Sequence, residues 1–391
     1  MNKKISLGLA LSLIAIAAAV TFILTSFFSL QSFNEKIVDV NEKAKKYSSL
    51  QALDGFVREN YYGNIDEEEL SSEILKGYVE GLDDRYSRYL TPEEYKNEIS
   101  ESSGELVGLG LTLTEDESGY IRIVEILSES PVSEAGLVPG DIITYVNGVD
   151  VLSAGVEESM NAMKGQEGTE ITLTVRRDGI DTDMTFTRRA IEVTSVTGEM
   201  LDGNIGYIKI TSFKKNTSQQ FIKELEKLNA GGAMAYIFDL RDNVGGLVAS
   251  LEECVDPLLP EGAVAAADYN DGHSETIVYS DASEINVPMT VLVNENTASA
   301  GELFAALLKD FGKAELVGTR TFGKGVMQVT NEFEDGSAVV LTVAKYHTVK
   351  SECYDGIGLI PDYIVDDDDE DSANDSQYRK AIEVTQMKIA G

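Results

Sequence analysis

Two residues in the second half of the chain carry groups that could act together as nucleophile and base, and the first is Ser299. It ends the run NTAS, where the apolar stretch PMTVLV gives way to a predicted helix, with Ala298, Ala300 and Gly301 around it. Its hydroxyl would lie near the unpaired N–H groups of a helix start, which favour developing negative charge. Serine is also a common helix cap, so the position alone does not separate the two roles.

The second residue is Lys324, between Gly323 and Gly325 in the segment TFGKGVMQ. A lysine is a base only when its amine is neutral, and lowering its pKa from about 10.4 to near 7 costs about 4 kcal/mol, which burial supplies. Gln328 would point to the same face of an extended segment, where its amide could hydrogen-bond the amine. Paired in space, Ser299 and Lys324 would form the serine–lysine variant of an activated nucleophile.

The same lysine also fits a phosphate-binding loop, because GTRTFGKG from Gly318 has the spacing G-x-x-x-x-G-K. The next position is Gly325 rather than the serine or threonine that would hold magnesium. The following VMQVT is typical of a strand, where that motif needs a helix. Nucleotide binding is therefore the lesser alternative.

The segment FDLRDNVGGLV is a third candidate element. It is an apolar strand that ends in a Gly-Gly turn, so Gly245 and Gly246 can present backbone N–H groups to a developing oxyanion. A plain strand-to-helix turn is the alternative. His273 and His347 have no distinctive setting, so a Ser-His-Asp triad ranks below the serine–lysine pair.

Composition excludes several classes of function. The formal net charge of -35 over 391 residues repels phosphate backbones, so we expect no nucleic-acid partner. The only cysteines are Cys254 and Cys353, too few for a disulfide framework, and with two histidines they provide poorly for a metal site. The acidic run at residues 366–371 is expected to be solvated.

A segment near the start predicts membrane attachment. Residues 5–30 contain no charged side chain and, as a helix, would be about 39 Å long at about 1.5 Å per residue. Lys3 and Lys4 precede the segment, so positive charge would stay inside and the rest of the chain would be exported. A cleaved signal peptide, giving a secreted or periplasmic protein, is the lesser alternative.

The remaining chain divides by its hydrophobic periodicity. The spacing of apolar residues predicts helices over residues 34–61 and 66–82. From about Gly104 to Arg189, apolar and polar residues alternate, which predicts short strands. Within them, SPVSEAGLVPGDIITYVNG resembles a PDZ domain, which would place a peptide-binding loop at Gly108, Leu109, Gly110 and Leu111. In that resemblance a peptide tail adds as a strand beside residues 111–113, and loop N–H groups receive its carboxylate. From residue 191 strands and helices alternate, as in a layered α/β core.

Together, GYIKITSF, FDLRDNVGGLV, VLVNENTASAGEL, GTRTFGKGVMQ and GIGLIPD resemble the carboxyl-terminal processing peptidases, or tail-specific proteases, in order and spacing. The resemblance implies that Ser299 is the nucleophile, Lys324 the general base and Gln328 the residue that orients the lysine. It implies backbone N–H groups of Gly245 and Ala300 as oxyanion donors. It implies no metal or organic cofactor, and protein substrates bound through exposed C-terminal tails.

The resemblance implies a multidomain α+β chain whose protease core is a layered α/β fold of the crotonase or Clp-protease type. We expect a transmembrane anchor at 1–33, a helical cap at 34–103, a PDZ domain at 104–190, the core at 191–365, and an acidic linker with a C-terminal helix at 366–391. The N-terminal helices can pair subunits into a homo-oligomer or cap their own chain, and the sequence leaves both open. A PDZ scaffold that binds tails without cleaving them is the alternative function.

Overall fold

The computed structural model describes residues 45–127, 130–133, 135–281, 284–366 and 375–390. The predicted membrane segment, residues 5–30, lies outside these ranges. Among the residues that are described, no helix is both long enough and apolar enough to cross a bilayer. The described residues divide into two compact units, one ending at Ser71 and the other beginning at Ser72.

The first helix within the described residues is α1 (Ser48–Asn60), which has no buried residues. Arg58 near its end forms ion pairs with Asp54 and Glu67. The elements that follow are α2 (Glu67–Glu80), the short strand β1 (Arg88–Leu90) and α3 (Pro92–Ser103). Thr91 caps α3 by accepting from the N–H of Glu94, whose carboxylate accepts in return from the N–H of Thr91, as the sequence TPEE favours.

A small β-domain follows. Its elements are β2 (Glu105–Gly108), β3 (Leu111–Glu115), β4 (Ile121–Ile126), β5 (Ile142–Val146), β6 (Val149–Asp150), α4 (Val151–Ala154), α5 (Val156–Met163), β7 (Glu170–Arg177), β8 (Ile180–Thr187) and β9 (Arg189–Glu192). The main sheet has the order β3-β4-β5-β7-β8, so β3 lies at an edge, and β2 pairs with β9. Residues such as Ile123, Ile143 and Leu173 form a separate apolar core.

The remaining chain forms a layered α/β core. Its first part contains β10 (Val196–Leu201), β11 (Ile205–Ile210), α6 (Thr217–Ala230), β12 (Ala235–Asp239), α7 (Val248–Val255) with a 3₁₀ turn (Asp256–Leu258), β13 (Gly262–Tyr269) and β14 (Ser274–Ser280). Its second part contains β15 (Met289–Val293), α8 (Ala300–Asp310), β16 (Ala314–Gly318), β17 (Val326–Glu332), β18 (Ala338–Thr348), β19 (Tyr363–Ile364) and α9 (Ser376–Ala390).

Two sheets organise this core. One has the order β10-β11-β12-β15-β16-β19 and is parallel from β11 to β19, while the other joins β1, β18, β13 and β14, with β17 beside β18. Every residue of β12 and β15 is buried, because helices cover both faces of the parallel sheet. Phe238 packs toward α6, α7 and α8, whereas its neighbour Ile237 packs toward α9.

Arg241 attaches α9 to this sheet. Its guanidinium lies 2.6 Å from Asp239 on one side and 2.6 Å from Asp375, just before α9, on the other. Tyr207 donates a further hydrogen bond of 2.6 Å to Asp239. These contacts of Arg241 and Asp239 fix the loop that follows β12.

Candidate active site

Ser299 lies in the tight turn between β15 and α8. Its backbone has φ 54° and ψ -120°, a left-handed conformation that is strained for any residue with a Cβ. Thr297 fixes the turn, since its Oγ1 accepts from the N–H of Asn294 at 3.0 Å and donates to the carbonyl of Leu240 at 2.8 Å. The strained turn presents the half-buried Ser299 at the start of α8.

Two asparagines before Ser299 tie this turn to the loop after β12. The carboxylate of Asp242 accepts from Nδ2 of Asn294 at 2.9 Å and from Nδ2 of Asn296 at 2.8 Å. The hydrogen bonds from Asn296 and Asn294 hold the pKa of Asp242 below its usual value. The two loops are therefore fixed to one another.

This attachment brings Gly245 against the serine. A Cβ on Gly245 would lie 2.7 Å from Cβ of Ser299 and 2.9 Å from the backbone nitrogen of Ala300, and Gly245 itself has φ 102°. Only glycine fits this position. The N–H of Gly245 donates to Oδ1 of the buried Asn243 at 2.8 Å, so one of the two predicted oxyanion donors is engaged within its own loop.

Glu302 joins the serine turn to the lysine loop. Its Oε2 accepts from the N–H of Ser299 at 3.1 Å and from the N–H of Lys324 at 2.8 Å. Its Oε1 accepts from the N–H of Gly323 at 2.8 Å and from Oγ1 of Thr321 at 2.5 Å. Burial raises the pKa of Glu302, and these hydrogen bonds oppose that rise. One fully buried carboxylate thus holds the two loops that carry the predicted nucleophile and base.

Tyr346 on β18 lies at the same junction. Its hydroxyl donates to the carbonyl of Lys324 at 2.6 Å. Burial raises the pKa of the Tyr346 phenol, and a hydrogen bond with the Ser299 hydroxyl lowers it in part. The tyrosine therefore contacts both loops of the site.

The amine of Lys324 lies over an aromatic ring. Nζ is 4.7 Å from the centroid of the Tyr86 ring, in the segment between α2 and β1. Among the described residues, no hydrogen bond joins Nζ to Oγ of Ser299. The two loops are thus brought together, while the two side chains do not make the catalytic hydrogen bond in this conformation.

The surroundings of Lys324 favour its neutral form. Burial lowers the pKa of the amine most, followed by the positive charges of Arg88 and Arg85, while Asp84 raises it. A lower pKa increases the fraction of neutral amine near neutral pH, which a general base requires.

The side-chain amide of Gln328 is hydrogen-bonded to β18. Its Nε2 donates to Oγ1 of Thr342 at 3.1 Å and approaches the carbonyl of Val326 at 3.4 Å. The pairing of β17 with β18 shifts register between Met327 and Gln328, an irregularity that simple strand alternation does not include. The orienting role of Gln328 stays a prediction, since no hydrogen bond to Lys324 is present in the described part of the chain.

The described residues support neither a phosphate-binding loop nor a Ser-His-Asp triad. Lys324 is followed by the strand β17 rather than by the helix that a phosphate loop needs. His273 stacks on Tyr269 in an exposed hairpin, and His347 lies 3.3 Å from Asp268. Neither histidine is hydrogen-bonded to Ser299 in the ranges that the structure describes.

The predicted peptide-binding loop is the connection between two strands. Gly108 ends β2 and Leu111 begins β3, so Leu109 and Gly110 form the turn. Oγ of Ser130 donates to the carbonyl of Leu109 at 2.5 Å, which fixes the turn. Within the described ranges, no acceptor is bonded to the N–H groups of Leu109 or Gly110.

Sequence reasoning missed four contributors to the site. Glu302 stands three residues after Ser299, the spacing of a capping box, so its link to the serine could have been found. Asn243 and Tyr346 act through contacts that no local pattern shows. Tyr86 lies in a segment that the sequence placed only in a helical cap.

Comparisons with known proteins agree with this arrangement. The model of peptidase family S41 matches residues 204–365, which include the five residues proposed for catalysis and oxyanion binding, and the PDZ model matches residues 98–176. The carboxy-terminal processing protease CtpA of Bacillus subtilis is 33% identical over 364 residues, covering 92% of this chain and 77% of that protein. A probable CtpA-like serine protease of Staphylococcus saprophyticus is 34% identical over 328 residues, covering 83% and 66%.

A solved structure described as a putative S41 protease from Bacteroides fragilis has the same fold, with a TM-score of 0.50 and 18% identity over 84% of this chain and 91% of that one. The identity and coverage of the Bacillus relative establish the family. The chain therefore belongs to peptidase family S41, as a carboxy-terminal processing serine protease with a PDZ domain.

Proposed function

We propose that the protein is a membrane-anchored, extracytoplasmic endopeptidase that binds C-terminal tails of proteins through its PDZ domain and cleaves them with Ser299 and Lys324. The observation that carries the catalytic part is the shared acceptor. Oε2 of Glu302 binds the backbone N–H groups of both residues, so the predicted nucleophile and base belong to one junction. The lowered pKa of Lys324 supports its role as the base.

In the proposed reaction, neutral Lys324 takes the proton of the Ser299 hydroxyl as the serine oxygen attacks the substrate carbonyl. The negative charge on that carbonyl oxygen is stabilised by the N–H groups of Gly245 and Ala300. The protonated lysine then gives its proton to the leaving amine, and a water molecule releases the acyl group from Ser299. The chemistry requires Nζ to move from the Tyr86 ring to Ser299, and the N–H of Gly245 to leave Asn243.

The PDZ domain supports tail binding. Its strand β3 lies at the edge of the sheet, so an extended peptide can pair with it, and the turn at Leu109 and Gly110 begins that strand. Loop N–H groups then receive the terminal carboxylate. A free carboxylate on the substrate should therefore matter for binding.

The location is proposed from the sequence of residues 1–30. An uncharged apolar segment preceded by Lys3 and Lys4 favours an anchor with the catalytic part outside the cytoplasm. Protease digestion of intact cells or spheroplasts tests this, because an exported catalytic part is degraded while a cytoplasmic one is protected. Extraction with alkali separates an anchored protein, which stays in the membrane, from a released one.

The activity test uses the full-length protein in detergent and a peptide with an apolar, free C-terminal tail. The wild type should cleave it, and Ser299→Ala and Lys324→Ala should each be slower by about 1000-fold or more. Lys350→Ala is the matched control, since its amine also lies over an aromatic ring, 3.8 Å from the centroid of Phe311, yet outside the site. Equal cleavage by the wild type and Ser299→Ala would remove the proposal. An amidated tail should raise KM.

A further inference from the structure

The segment Asp84–Arg88 lies outside both family matches, which cover residues 98–176 and 204–365. It is a compact turn, in which the Asp84 carboxylate accepts from the N–H of Tyr86 at 3.2 Å and from Oγ of Ser87 at 2.5 Å. The turn leads into β1, which pairs with β18 so that Arg88 faces Val340. Since Thr342 and Tyr346 also lie on β18, the segment is attached to the strand that supports the site.

Aromatic contacts join this segment to the lysine loop. The Tyr86 ring contacts two cations, with Nζ of Lys324 4.7 Å and the guanidinium carbon of Arg85 4.6 Å from its centroid. The same guanidinium carbon is 5.2 Å from the centroid of Phe322, two residues before Lys324. In the part of the chain that the structure describes, no carboxylate pairs with Arg85, so its charge is not neutralised locally.

A chain of hydrogen bonds joins the segment to Gln328. Nε2 of Gln328 donates to Oγ1 of Thr342, the N–H of Thr342 donates to Oγ of Ser87 at 3.0 Å, and Ser87 donates to Asp84. Thr342 lies 255 positions from Ser87, so only the fold brings them together. Asp84 is thus linked through two residues to the glutamine predicted to orient the lysine.

The charges of the segment act on Lys324 with opposite signs. Arg88 and Arg85 favour the neutral amine, whereas Asp84 favours the protonated one. Arg88 is in turn paired with Glu98 at 2.6 Å. Further ionisable groups packed around the lysine loop, within the described ranges, include Glu302, Lys345, Tyr346, Cys353 and Asp355.

We propose that the segment Asp84–Arg88 is a positioning element of the catalytic centre, which shelters the amine of Lys324 and sets its charge before the amine moves to Ser299, and which fixes the amide of Gln328 through Thr342. The inference rests on the serine–lysine mechanism proposed above. Arg85 acts on the amine of Lys324 through its positive charge, and the ring of Tyr86 covers that amine. Asp84 and Ser87 act on the glutamine through Thr342.

The test is the dependence of kcat on pH in the full-length protein. Activity rises with pH as Lys324 loses its proton, so removing a nearby positive charge should move that rise to higher pH, and removing the negative charge should move it to lower pH. Arg85→Gln should therefore be about two- to five-fold slower than the wild type at a fixed pH on the rise. Asp84→Asn should shift the profile the other way, and KM should change little in both.

Arg176→Gln is the matched control, because the guanidinium carbon of Arg176 also lies over a tyrosine ring, 5.2 Å from the centroid of Tyr120, in the β-domain. Its profile should equal that of the wild type. Thr342→Val should lower kcat, and Thr342→Ser, which keeps the hydroxyl, should restore it. These two variants and Arg85→Gln decide the matter if Asp84→Asn does not fold.

Opposite shifts by Arg85→Gln and Asp84→Asn, with recovery in Thr342→Ser, would support the proposal. Absence of a shift in Arg85→Gln, a shift equal to that of Arg176→Gln, or equal kcat in Thr342→Val and Thr342→Ser would overturn it. Failure of the serine–lysine mechanism itself has a different result, because Ser299→Ala would then cleave as fast as the wild type.

Discussion

Replacing Glu302 by glutamine tests the central feature of the site. The carboxylate accepts four hydrogen bonds, two on each oxygen, and all four partners are donors in the structure. A glutamine offers one oxygen and one NH₂ group. If the NH₂ group faces Thr321, the threonine hydroxyl can turn to accept, but the N–H of Gly323 then has no acceptor.

The expected cost follows from these contacts. One backbone N–H is left unsatisfied in a buried place, which costs about 1–3 kcal/mol, and the remaining hydrogen bonds lose the strength that the negative charge gives them. We expect the free energy of unfolding to fall by about 3–5 kcal/mol. Because the lysine loop then loses its bond at Gly323, and the bonds from the N–H groups of Ser299 and Lys324 are weakened, kcat should fall by at least about 100-fold, or about 2.7 kcal/mol.

The assay is urea unfolding followed by circular dichroism, together with peptide cleavage at a urea concentration where the variant is folded. Glu295→Gln is the matched control, since Glu295 is an exposed glutamate in the same turn that accepts from Thr319 at 2.8 Å. It should change stability by less than about 1 kcal/mol. Glu302→Gln with wild-type unfolding and wild-type kcat would refute the reasoning.

Three further predictions concern other parts of the structure. Gly245→Ala should abolish cleavage while tail binding is retained, because its Cβ would lie 2.7 Å from that of Ser299; titration calorimetry with a tail peptide and a cleavage assay check this, and active Gly245→Ala would contradict it. Lys324→Met should resist urea better than the wild type at neutral pH. Since the pKa of Lys324 is lowered by folding, the wild type gains stability as pH rises toward about 10.5, and the difference should shrink there. Asp375→Asn should lower the free energy of unfolding by about 1–2 kcal/mol in a thermal melt, because Arg241 loses one of two partners, and an unchanged melt would show that the pair does not stabilise α9.

The sequence predicts best what depends on local patterns. The apolar residues before Arg241 predict the buried strand Ala235–Asp239, and the end of the apolar stretch PMTVLV predicts the helix after Ser299. The segment VMQVT likewise predicts the strand after Lys324, and a strand at this place excludes the phosphate loop, which needs a helix.

The rest depends on contacts between distant segments. The attachment of Ser87 to Thr342 spans 255 positions and has no local signature. The register shift beside Gln328 comes from pairing with β18, so strand alternation alone placed that side chain next to Lys324. Asn243 occupies the N–H of Gly245 through a contact that the Gly-Gly motif does not reveal.

The carboxylate of Glu302, which joins the loops of Ser299 and Lys324, limits which substitutions the two loops can accept. Ser299 and Lys324 cannot shift independently, because a displacement of either backbone breaks a bond to the same oxygen. Substitutions in the two loops should consequently be non-additive, with a second change costing less than it does alone. The two loops therefore form one cooperative unit, and replacing one of them in an engineered variant should require matching changes in the other.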